Sequence, residues 1–77
     1  MKEYVAVELM TDAAGKMHPK SIILEDGRRY EISHVSDVRR AASTKAGGQG
    51  MRYTVRILGH ETYLFEDEGR WFVEAKD

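Results

Sequence analysis

The chain contains no cysteine and a single proline. Without thiols, neither a disulfide framework nor a thiolate metal site can hold the fold together, and nothing points to an oxidising compartment. No apolar run approaches the ~18 residues of a membrane-spanning helix. Glu3 and Glu8 interrupt the opening "MKEYVAVELM", so it lacks the unbroken apolar stretch of a secretory signal. These absences predict a cytoplasmic protein. A strong charge of one sign is missing too. The net charge is −1, which weighs against a nucleic-acid binder driven by electrostatics alone. With 77 residues the chain is sized for one domain, residues 1–77. A domain this small buries roughly 60% of its unfolded surface. Its stability must come from packing, strand pairing or a partner subunit.

Alternation dominates what is present. In "RYTVRIL", Tyr53, Val55 and Ile57 fall on one face and Arg52, Thr54 and Arg56 on the other. That is the period of a strand. "YVAVELM" and "RRYEISHV" alternate similarly, "SIILE" is short and apolar, "ETYLFED" and "RWFVEA" complete the set with aromatics on both, and turn signals fall between these runs. "DAAGK" with His18-Pro19, "EDGR", "LGHE" and "EDEGR" supply the Asp-Gly and Gly positions that hairpins use. The pattern predicts an all-β domain, a small antiparallel meander of six or seven short strands, partly closed like an SH3-type or OB-type barrel. "SHVSDVRRAASTKAGG" is the ambiguous stretch. A strand is preferred there, with one short helix near 36–46 as the alternative. The expected core is Val5, Val7, Leu9, Ile22, Leu24, Tyr30, Ile32, Val38, Tyr53, Val55, Ile57, Leu64, Trp71 and Val73. Phe72 falls on the face opposite Trp71 and Val73. A single-layer sheet cannot cover both faces, so an aromatic at an interface is expected.

Charge is unevenly placed. From Arg28 to Arg56 there are seven Lys/Arg against two acids, and elsewhere five against eleven. Arginines flank aromatics at Arg29-Tyr30, Arg52-Tyr53 and Arg70-Trp71. Small nucleic-acid-binding barrels use such mixtures, with rings stacking bases and cations holding phosphates. The same residues also serve a small core and its solvent face. Arg39, Arg40, Lys45, Arg52 and Arg56 are the candidate nucleic-acid-binding residues of this basic 28–56 segment.

Gly47, Gly48 and Gln49 resemble the Gly-Gly-Gln loop of peptide-chain release factors. There the Gln backbone amide stabilises the transition state of peptidyl-tRNA hydrolysis. The flanks differ: Ala46 precedes, Gly50-Met51 follow, and a strand begins almost at once. The preferred reading is a flexible loop of Gly47, Gly48, Gln49 and Gly50 between two strands. Neither a P-loop nor a dinucleotide-binding spacing fits.

His18, His34 and His60 lie on separate segments without paired ligand spacing, so no metal is expected. Ser33, His34 and Asp37 are near in sequence, but successive strand residues face opposite ways. No catalytic residue, cofactor or enzymatic activity is expected. "DGRRYEISHV", "RYTVRILGHETYLF" and "GRWFVE" resemble small bacterial all-β proteins of unknown function. That resemblance implies a bacterial, cytoplasmic domain and carries no site residues. The expected role is a non-catalytic binding module, first for a protein partner or a second copy of itself, without membrane or metal. Nucleic-acid binding through the basic segment is the alternative. Hydrolysis at Gln49 is the remote one.

Overall fold

The structure is a computed structural model describing residues 2–43 and 48–74. Seven strands follow one another: β1 Lys2–Thr11, β2 Met17–Ile23, β3 Arg29–Glu31, β4 His34–Ser43, β5 Gly48–Ile57, β6 His60–Asp67 and β7 Arg70–Glu74. They form one antiparallel sheet in the order β3-β2-β1-β7-β6-β5-β4. No helix occurs among the described residues, so residues 36–43 are strand and the helical alternative is discarded. Three strands run to ten residues, longer than the short strands expected. Lys45 and Gly47 lie outside the described residues.

The sheet has to curl. Six strand spacings would hold its outermost strands about 29 Å apart if it were flat. Those strands are β3 and β4, and only Ile32 and Ser33 separate them. Three Cα steps reach only about 10 Å. The sheet therefore rolls into a half-barrel whose ends meet at this corner. The two linking residues bond to opposite ends of the sheet. Ile32 N donates to Lys20 O of β2, and Ser33 N to Arg56 O of β5, both at 2.9 Å.

The concave face carries the core. Val5, Ile22, Tyr53, Val55, Leu64 and Trp71 are buried together there, with Tyr53 and Trp71 5.1 Å apart between ring centroids. Burial, and then the nearby Glu66 carboxylate, push the Tyr53 phenol above its ordinary pKa. Val7, Leu24, Tyr30, Ile32, Ile57 and Val73 are partly buried against this core, and two expected core residues are exposed. Leu9 is 40% exposed and Val38 39%. Leu9 lies just past a register shift in the β1–β2 pairing, where Lys20 stands opposite no residue of β1. Val38 faces inward beside Tyr53, but β4 ends the sheet and, among the described residues, no strand pairs with its outer side. β2 also begins earlier than expected and includes His18-Pro19. Pro19 is tolerated because β3 pairs only with Ser21 to Ile23 and asks nothing of the Pro19 nitrogen.

Two hairpins close with two residues each. Leu58-Gly59 and Glu68-Gly69 all take positive φ, as type I′ turns require. Gly does so freely, but Leu58, at φ 51° and 77% exposed, bears the steric cost of the left-handed region and buries little in return. Leu58→Asn is expected to stabilise the chain by about 1 kcal/mol, raising Tm by roughly 4–8 °C. A thermal melt showing no rise would mean that Leu58 makes a contact outweighing its strain.

Candidate functional site

Two surfaces carry chemistry beyond the core: the convex face of the sheet and the open edge of β4. On the convex face, register sets the rows. Tyr4 lies opposite Phe72, Phe72 opposite Phe65, Phe65 opposite Arg52, and Arg52 opposite Arg39. Paired residues share a face, so one row crosses five strands. Phe65 and Phe72 stack with centroids 5.1 Å apart and planes within 7°. Tyr4 meets Phe72 edge-on at 5.9 Å, and Tyr63 meets Phe65 at 6.4 Å. Cations complete the cover. Arg70 lies 3.8 Å from the Tyr4 ring, Arg52 4.4 Å from Tyr63 and Lys2 4.9 Å from Phe72.

The outcome is a second small core. Phe65 and Phe72 are each only 1% exposed despite lying on the outer face. Phe72 does face away from Trp71 as the alternation predicts, but it is sealed, so it is not the exposed interface aromatic. Tyr4 and Tyr63, 43% and 42% exposed, are the rings that reach solvent. The sequence pattern could not show this, because cross-strand register decides which cation lands on which ring.

The five candidate nucleic-acid-binding residues divide. Arg39, Arg52 and Arg56 share the convex face. Arg40 pairs with Met51 and belongs to the other face, and Lys45 lies outside the described residues. The three that gather are already engaged. Arg39 Nε donates to Asp37 Oδ2 at 2.6 Å, and this bond together with the Asp37 charge raises the guanidinium's pKa. Arg56 donates to Gly59 O at 3.1 Å and lies 3.6 Å from Glu61. Arg52 covers Tyr63, and its Nε is buried without a hydrogen-bond partner. The face thus spends its charge on itself.

The Gly-Gly-Gln segment is mostly strand. Gly48, Gln49 and Gly50 belong to β5, opposite Ser43, Ala42 and Ala41. The histidines stay apart. His18 Nε2 lies 3.0 Å from Asp12 Oδ2, where Asp12 also caps the β1–β2 turn through the amides of Ala14 and Lys16. His34 stands opposite Arg56, and His60 opposite Ile57. Among the described residues no three His, Asp or Glu converge on a metal position.

The open edge was not singled out by sequence. β4 pairs with β5 on one side, and no strand pairs with its outer side among the described residues. Ser36 is an extra residue in that pairing, forming a bulge between Val35 and Asp37. Beyond the corner the half-barrel does not close, leaving a groove of about 500 Å³ lined by Lys16, His18, Val35, Ser36, Asp37 and Val38. A smaller recess of about 300 Å³ continues past His18 and Val35 to Pro19, Lys20 and Ile32 to His34. An unpaired strand beside a groove offers backbone hydrogen bonds and side-chain pockets together. The chain matches no protein-family model, no curated protein and no solved structure.

Proposed function

We propose that this chain is a non-catalytic protein-binding module that takes an added strand along the outer edge of β4. The observation that carries this reading is the outer edge of ten-residue β4, which no strand pairs among the described residues and which lies beside the groove at the open side of the half-barrel. Unpaired edges recruit strands unless something blunts them. The Ser36 bulge bends one end, β4 pairs in regular register with β5 from Asp37 to Ser43, and two of its charges, Asp37 and Arg39, bond each other. The absence of cysteine suits a reducing, cytoplasmic setting.

Selection of a displayed random-peptide library against the dilute protein tests the reading. Enriched peptides should bind wild type and lose about tenfold or more in affinity with Val38→Lys, because the substitution replaces the exposed apolar residue of this edge with a further cation beside Arg39 and Arg40. Tyr63→Ala, on the convex face, should leave them unaffected. No enrichment, or sensitivity to Tyr63→Ala alone, would overturn it.

Nucleic-acid binding is the second reading, favoured by the gathering of Arg39, Arg52 and Arg56 near Tyr63. It is weaker because those cations already face an acid, a carbonyl or a ring. Anisotropy with labelled single-stranded RNA should show binding only at low salt. Tight binding at physiological salt, with a slope that falls in Arg39→Ala, would reverse the ranking.

A further inference from the structure

We infer that the strand added at β4 is β4 of a second copy, running antiparallel about a twofold axis at Val38. This rests on the strand-addition reading and names its occupant. A twofold axis perpendicular to the sheet keeps each face continuous across the join, so both copies present the same patch. Such an axis must pass through one residue position, and the side chains of β4 decide which.

At Asp37, Arg39 or Arg40 the axis would set like charges directly opposite each other, which is destabilising. At Ala41 it would set Arg39 opposite Ser43 and Arg40 opposite Ala42, with no complementary pair. At Val38 every neighbour fits. Val38, an exposed apolar residue on this edge, meets its own copy. Asp37 meets Arg39 of the second copy, and Arg39 meets Asp37. Arg40 falls beside the Ser36 bulge, where regular pairing stops, and meets no like charge. Asp37 and Arg39 already share the convex face and bond each other within one chain at 2.6 Å. Their side chains are 38% and 63% exposed, so both can turn to a partner across the join. The Ser36 bulge bends the strand and ends the pairing at each side. The interface is therefore short and the dimer concentration-dependent.

The test uses two variants of the whole chain. Arg39→Glu leaves two acids on this patch and Asp37→Arg two arginines. Either variant should dimerise about tenfold or more weakly than wild type in sedimentation velocity. An equimolar mixture of the two should restore the dimer, because Asp37 then meets Arg39 and Glu meets Arg across the axis. The bond within each chain is broken in both variants, so recovery can come only from pairing between chains. Circular dichroism checks that both fold, and a Val38→Lys with Val38→Glu mixture repeats the design on the opposite face. A mixture that stays monomeric, or variants that dimerise like wild type, would overturn the inference. Wild type monomeric at high concentration, with library peptides still bound at β4, would remove self-pairing and keep strand addition. Neither dimer nor peptide would remove both.

Discussion

Phe65→Ala is expected to cost about 3–5 kcal/mol, the usual range for emptying a buried phenylalanine site. A 77-residue chain has a total stability of roughly 4–12 kcal/mol. The loss is therefore a large share of the whole, and at the lower end of that range it brings the variant to its unfolding midpoint in water. The reason lies on the convex face. Phe65 is 1% exposed, stacks on Phe72 at 5.1 Å and takes the edge of Tyr63. Removing its ring strips Phe72 of its stacked neighbour and Tyr63 of its lateral support. Tyr63→Ala, by contrast, removes a ring already 42% exposed, and about 1 kcal/mol is expected. Urea denaturation of the two variants separates them. If Phe65→Ala cost no more than Tyr63→Ala, the outer aromatics would be decoration and not a second core.

The alternation of "RYTVRIL" and "RWFVEA" was enough to assign faces in β5 and β7, and Tyr53, Val55 and Trp71 are buried where it put them. The Asp-Gly and Gly turns were equally legible, because positive φ leaves few residue choices. Leu9 and Val38 were not. Alternation assumes an unbroken register and a neighbour on each side. The β1–β2 bulge breaks the first assumption near Leu9, and the end position of β4 breaks the second at Val38. The same limit governs the sites. Charge counting gathered Arg39, Arg40, Arg52 and Arg56 into one segment, but strand parity sends Arg40 to the opposite face. It could not reveal that Arg39 and Arg52 are neighbours across strands, since that depends on the β4–β5 register. The open edge was invisible for a related reason. Which strand ends a sheet follows from strand order, and here the order follows from a two-residue corner that looks like an ordinary pause between β3 and β4.

Gly50→Ala is expected to destabilise the chain by about 1–3 kcal/mol, the cost of forcing an extra methyl into a packed site. Gly50 does not hold a left-handed backbone, unlike the turn glycines. Its requirement is space. A Cβ there would sit 2.3 Å from the backbone oxygen of Glu66 and 3.1 Å from Asp67 Cβ. The first contact is with backbone, which cannot rotate away as a side chain can, so β5 and β6 would have to separate locally. The damage should spread toward the edge, because Gly50 also pairs with Ala41 of β4. Among the described residues β4 has no other strand to hold it. Hydrogen exchange should accordingly quicken in β4 and at the β6 end near Glu66 before it does in β1 or β2, alongside a lower urea midpoint. The glycine that closes "GGQG" would then be a close-approach residue between strands, with the register of β4 depending on it. Unchanged stability and exchange would instead show that the strands yield at little cost.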